Sequence, residues 1–206
     1  FVAINTDQQA LDRMKDVSTL VIGPAATAGM GSGGDPDVGR RAVRESQEQV
    51  ADLLEGADMV FVAAGMGGGT GTGAAPMVAD MARRQGALTV GVVTRPFSFE
   101  GARRKEVADR GLFQLRQRVD TMITVDNDRL LSSLDGKLSL EKAFGAADEV
   151  LRQGVQGISE ILVVPGLVNV DFADVKAIML TGGASFMAMG EGKGKSAADD
   201  AVRAAV

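Results

Sequence analysis

The stretch Ala64-Gly-Met-Gly-Gly-Gly-Thr-Gly-Thr-Gly-Ala-Ala-Pro76 decides how this chain is read. Just before it, Met59-Val-Phe-Val-Ala63 is a short apolar, β-branched and aromatic run, as expected of a buried parallel strand. Just after it, residues 74–85 have a helical pattern, with Pro76 near the expected first turn, where a missing N–H does no harm, and Gly86 as the stop. Strand, glycine loop and helix together present backbone N–H groups and a helix N-terminus to a phosphate. The glycines among Gly67, Gly68, Gly69, Gly71 and Gly73 remove Cβ atoms, so the backbone can approach an anion and take positive φ. Thr70 and Thr72 add hydroxyls that can donate to phosphate oxygens or to a metal's water shell. A plain flexible linker is the alternative, but linkers are not usually clamped between a buried strand and a helix. The loop lacks the Gly-Lys-Ser/Thr of a Walker A motif and the GxGxxG of a dinucleotide fold.

Bulk properties narrow the chemistry. With 206 residues, 45% hydrophobic and 24% charged, the chain can hold one α/β domain and part of a second. A net charge of −5 argues against a nucleic-acid groove, which needs clustered Lys and Arg. No apolar run of membrane-spanning length is present. With no cysteine and no histidine, disulfides, thiolate metal sites and His-dependent catalysis are excluded for these residues. Chemistry must come from carboxylates, hydroxyls, backbone dipoles or a bound Mg²⁺. No metal site built from protein ligands is expected.

Outward from the loop, apolar strands alternate with helical patterns. Strands are expected at 1–4, 20–22, 59–63, 87–93 and 119–125, and helices at 8–14, 38–54, 100–116 and 126–131. The fold expected is α/β, a doubly wound parallel sheet. Asp7 follows the first strand, where open parallel sheets bind ligands. It could hold a metal-bound water or a ribose hydroxyl, or simply cap the helix that follows. Ser32, Gly33 and Gly34 lie in a second glycine-rich stretch, which ends in Asp35-Pro36 and leads into a helix. Glu100 and Arg104 sit four apart on one helical face, and a solvated ion pair is the plain reading. A long amphipathic helix is expected at 139–162, about 36 Å at 1.5 Å per residue, of the kind that bridges two domains. The expected organisation is a nucleotide domain over 1–138, this connecting helix over 139–163, and the start of a second domain over 164–206. The last segment is expected to hold a strand, a Gly/Lys turn at 190–195 and a helix.

The loop GGGTGTG resembles the tubulin/FtsZ family of GTPases, and the segments around it are closer to the FtsZ branch. NTDQQAL (5–11), TRPFSFEG (94–101), NDRLL (127–131), VLRQGVQGIS (150–159) and NVDFADVK (169–176) carry the same resemblance over nearly the whole chain. It implies a tubulin/FtsZ-type domain binding GTP or GDP, with Mg²⁺ held mainly by phosphates and water. Gly67, Gly68, Gly69, Thr70, Gly71, Thr72 and Gly73 would cradle the phosphates, with Ser32, Gly33 and Gly34 on the γ-phosphate side and Asp7 nearby. Pro96, Glu100 and Arg104 would address the ribose and its surroundings. Phe144 would stack on guanine, while Asn127 and Asp148 would read its edge. A carboxylate such as Asp148 can accept both N1–H and N2–H₂ of guanine, and adenine offers no matching pair.

The resemblance also implies that GTP is hydrolysed only between subunits. Asp171 and Asp174 would orient the attacking water in the neighbour's site, with Asn169 supporting them. Asp171 read alone is a helix cap for residues from 172 onward. Head-to-tail self-assembly, a role in cell division, a cytoplasmic location at the division site, and membrane-tethering partners reached through a tail outside this sequence are further implications. The family has an earlier strand and glycine loop ahead of the position of Phe1, so the sequence is expected to be a fragment. Asp126 stands where the family usually has Pro, and Gly34-Asp35 where it has Ala-Asn. A paralogue that assembles or controls shape without hydrolysis is the alternative function, and a dinucleotide oxidoreductase a more distant one.

Overall fold

The computed structural model describes residues 1–132, 139–164, 171–180 and 192–205. Among the described residues five short strands pair in parallel: β1 (Val2–Asn5), β2 (Ser18–Val21), β3 (Met59–Gly65), β4 (Leu88–Arg95) and β5 (Thr121–Asp126). β1 pairs with β2, and β3, β4 and β5 form a second sheet in that order. Its register sets Val62 beside Gly91 and Val92 beside Ile123. β4 is the central strand of that sheet and is buried from Leu88 through Thr94, matching the apolar run of a strand covered on both faces. The chain is therefore α/β with parallel sheets, in two separate ladders where one continuous sheet was expected.

Ten α-helices are described: α1 (Gln8–Asp12), α2 (Pro24–Thr27), α3 (Pro36–Glu45), α4 (Gln47–Leu54), α5 (Thr70–Arg84), α6 (Ala102–Arg116), α7 (Asn127–Ser132), α8 (Leu140–Val163), α9 (Phe172–Leu180) and α10 (Ala197–Ala205). Several boundaries differ from the sequence reading for local reasons. The single helix expected over 38–54 is two, because Ser46 leaves helical geometry and its Oγ accepts the Gly23 N–H at 3.0 Å. The helix expected from residue 100 begins at Ala102. A 3-10 turn, Ser98–Glu100, precedes it, and Gly101 at φ +100° separates the two.

The correction that matters most for the site concerns α5. It begins at Thr70 rather than Ala74, so Thr70, Gly71, Thr72 and Gly73 are its first turn and Pro76 is a helix-interior residue. Proline removes an i to i−4 hydrogen bond there. A Cβ on Gly73 would lie 2.1 Å from the Pro36 carbonyl oxygen and 2.9 Å from the Arg40 nitrogen, so α5 approaches α3 at a distance only glycine permits. Behind this crossing, Ile22, Val43, Val50, Val62, Val78, Ala79, Val93 and Leu115 form one buried cluster.

Two compact units are resolved, residues 1–151 and 152–206, with the division inside α8. The first holds both sheets. The second contains the end of α8, α9 and α10. The expected strand after residue 180 lies outside the described residues. No helix among the described residues is long and apolar enough to cross a membrane.

Candidate functional site

Three loops meet around Thr70. β1 ends at Asn5, whose Oδ1 accepts the N–H groups of Thr6 and Asp7 and so turns the chain sharply. Thr6 is fully buried, and its hydroxyl lies 2.5 Å from Thr70 Oγ1. Ser32 of the second glycine-rich loop reaches the same Thr70 oxygen at 3.1 Å. Backbone bonds from Gly31 N–H to the Thr6 carbonyl and from Gln8 N–H to the Gly29 carbonyl, both 3.0 Å, lace the first two loops together. A Cβ on Gly69 would lie 2.3 Å from Ser32 Oγ and 2.6 Å from the Asp35 nitrogen, so this glycine is what lets the signature loop reach the second one. Thr6 was absent from the sequence-based site. Nothing in a lone Thr after a strand marks it; only the convergence of three distant loops does.

The glycines of the signature divide by task. Gly69, Gly71 and Gly73 are close-contact positions, Gly71 against the Gly65 carbonyl oxygen at 2.5 Å. Gly67 has φ +110°, and a Cβ on it would meet the Arg104 carbonyl oxygen at 2.9 Å and Pro96 Cγ at 3.3 Å. Gly68 alone among the five faces open space, as do Gly33 and Gly34. No side chain caps the N-terminus of α5. Unbonded first-turn N–H groups beside an unobstructed glycine are the arrangement an anion requires. The two threonines divide likewise. Thr70 belongs to the hydroxyl cluster, whereas Thr72 is 2% exposed and its Oγ1 accepts the Gly67 N–H at 2.9 Å, shaping the loop from inside.

Other expected site residues cluster on the far side of Gly67. Glu100 accepts the Phe97 N–H at 3.0 Å through Oε1 and pairs with Arg104 through Oε2. Ser98 donates from both its N–H (2.8 Å) and its hydroxyl to the Asp128 carboxylate, which these bonds hold below the ordinary aspartate range. Asp126, at the position of the family's proline, accepts the N–H groups of Asp128 and Arg129 at 3.1 and 3.4 Å, and so starts α7 as a cap. Asn127 beside it is 3% exposed, and its Oδ1 has no hydrogen-bond partner. A buried amide end left unmatched costs about 1–3 kcal/mol. Phe144 and Asp148 are exposed one turn apart on α8, on one face. Phe144 is 43% exposed and flanked by Phe97 and Phe99.

Two acids cap helices, Asp7 as expected of it and Asp35 likewise. Asp7 accepts the Ala10 N–H at 3.2 Å, and Asp35 the Asp37 N–H at 2.9 Å. Asp171 and Asp174 belong to the second unit, both exposed, at the start of α9. Asp171 Oδ1 accepts the Ala173 N–H at 3.2 Å, which is the cap expected of it read alone. Asn169 lies outside the described residues. Among the described residues no group of three or more acidic, His or Cys side chains is arranged to hold a metal ion.

Comparison with known proteins agrees with this geometry. Residues 1–135 match the Tubulin/FtsZ family, GTPase domain. An FtsZ dimer from M. jannaschii, solved empty, superposes with a TM-score of 0.92 at 45% identity over 99% of this chain. CetZ1 from Haloferax volcanii, a GDP-bound monomer, gives 0.75 at 26% over 91% of the chain. CetZ2 from the same organism, a GTPγS-bound protofilament, gives 0.74 at 29% over 91%. The chain spans 59%, 56% and 57% of those three chains respectively. A sequence that folds its glycine loop, its strand ends and its helix crossings in this way, and matches the family's domain over most of its first unit, is a member of the tubulin/FtsZ family.

Proposed function

We propose that this chain binds GTP and belongs to a GTPase that assembles head-to-tail into filaments, each active site being completed by the next subunit. The convergence of three loops on the uncapped N-terminus of α5 carries the nucleotide half of the reading. The phosphates lie along Gly68 to Thr70 and reach towards Ser32, Gly33 and Gly34. Mg²⁺ would be held by phosphate oxygens and water, with Asp7 nearby. The ribose lies by Pro96, Glu100 and Arg104. The base stacks on Phe144, with Asp148 and the unmatched amide of Asn127 at its edge. Guanine suits these groups because Asp148 can accept from N1–H and N2–H₂ together.

The hydrolytic half rests on Asp171 and Asp174. Both are solvent-facing carboxylates, and Asp171 accepts the Ala173 N–H as a helix cap. Phosphoryl transfer needs positioning and charge more than covalent chemistry, and two carboxylates near an attacking water supply both. A heterologous contact that brings them to a neighbour's nucleotide does not close, so it extends into a filament. Two relatives were solved as a dimer and as a protofilament, which is consistent with self-association. Cell division at a cytoplasmic ring, with membrane-tethering partners, is the process proposed for such a filament.

The test is the GTPase rate of the full-length protein as a function of its concentration, alongside an Asp174→Ala variant. Turnover per subunit should be negligible below a threshold and rise above it. The variant should lose about a hundredfold or more in turnover while still binding GTP. A rate per subunit that ignores both concentration and Asp174 contradicts the shared site and leaves only nucleotide binding.

A further inference from the structure

The surroundings of Phe144 go beyond a single stacking ring. Phe97 is 1% exposed and stacks on Phe99, centroids 4.8 Å apart and planes within 11°. Phe144 stands at 89° to both, 5.2 Å from Phe97 and 6.3 Å from Phe99. These three distances close a compact triangle, so Phe144 lies beside the stack rather than at its end. Perpendicular ring contacts are directional, because the positive edge of one ring prefers the negative face of another. Two of them on one ring restrict its rotation as well as its position.

The stack is itself held by polar groups. The Phe97 N–H donates to Glu100, which also pairs with Arg104, and Ser98 between the two rings donates twice to Asp128, next to Asn127. Phe99 remains 53% exposed although it is large and apolar. A ring that exposed gains little from burial, so core packing is a small part of what it contributes.

We propose that Phe99 is a positioning residue for the base subsite: together with Phe97 it fixes the orientation of the Phe144 ring, so that the ring is ready for a purine before the nucleotide arrives. This rests on the reading of Phe144 as the stacking surface. Preorganisation reduces the ordering cost of binding, so its loss appears as weaker affinity for the base-bearing ligand. It does not change the phosphate cradle. Nor does it change turnover once the site is filled.

The experiment compares Phe99→Leu, Phe99→Tyr and Phe144→Leu in the full-length protein, with GTP and inorganic triphosphate as separate probes and thermal melting as the check on folding. For Phe99→Leu we expect GTP affinity to fall about three- to tenfold, the range of one aromatic pair contact, with triphosphate affinity unchanged. KM should rise by a similar factor while kcat at saturation is kept. Phe99→Tyr, which retains the ring, should restore the parent values. If Phe144→Leu weakens GTP binding but Phe99→Leu does not, the positioning role is overturned and the stacking reading stands. If Phe144→Leu leaves GTP affinity unchanged, the stacking reading falls and this proposal with it. Equal weakening of GTP and triphosphate by Phe99→Leu also overturns it, since that is a general loss of structure.

Discussion

Asp128 shows how much of this site is held by single polar contacts. It is exposed, yet the Ser98 hydroxyl, first, and the Ser98 N–H, second, stabilise its charged form and lower its pKa below the ordinary 3.8. A carboxyl lowered on folding contributes stability that is fully present above its unfolded pKa and is lost as pH falls through the folded one. The contribution is therefore fully present at neutral pH, and its pH dependence is confined to acid below about 3.8. Solvent around an exposed carboxylate keeps the contribution small. Ser98→Ala should move the Asp128 pKa back up towards 3.8, read from an NMR titration of its carboxyl carbon. An unmoved value would mean that the hydroxyl bond is not made in solution.

Elements are set by contacts that local pattern does not contain. Gly73 and Gly68 make the point testable, because helix propensity and space disagree at one and not at the other. Gly to Ala inside a helix gains about 1 kcal/mol from propensity. At Gly73 that gain loses, since the new Cβ would sit 2.1 Å from a backbone oxygen of α3. Overpacking against backbone costs about 3 kcal/mol, so Gly73→Ala should lower the urea midpoint clearly. At Gly68 a Cβ meets nothing within 4 Å. Gly68→Ala should leave stability within about 0.5 kcal/mol and weaken GTP binding instead, by standing in the anion's approach. Similar losses of stability in both would contradict the division of tasks within the loop.

The same logic explains what the sequence did and did not disclose at this level. The strand before the signature, the buried β4 and the long α8 were legible, because apolar runs and helical periodicity are local signals. The start of α5 was not. Thr-Gly-Thr-Gly reads as loop by propensity, and only packing against α3 and the end of β3 makes it helical. Ser46 divides a continuous helical pattern because of an oxygen needed 23 residues away, at Gly23. Thr6 and the stack of Phe97 on Phe99 were equally invisible, each depending on partners brought together by the fold. Ser32 and Thr70 meet through their hydroxyls, and Gly67 meets Pro96 and Arg104, but the expectation that these residues share a site came from resemblance rather than from periodicity.

For the whole molecule, the groups proposed to face the nucleotide lie in the first unit and the exposed Asp171 and Asp174 in the second. If catalysis requires one unit from each of two subunits, two different defects should complement each other. Asp174→Ala keeps a sound nucleotide site and lacks an acid; Gly68→Glu keeps the acid and places a carboxylate where the phosphates are proposed to bind. The most direct measurement is the GTPase rate of the two variants, separately and as an equimolar mixture in the full-length protein. Each alone should be nearly inactive, and the mixture should recover up to about a quarter of the parent rate, the share of contacts that join a sound site to a sound acid in a heterologous chain. A mixture no more active than the mean of its components would contradict a site shared between subunits.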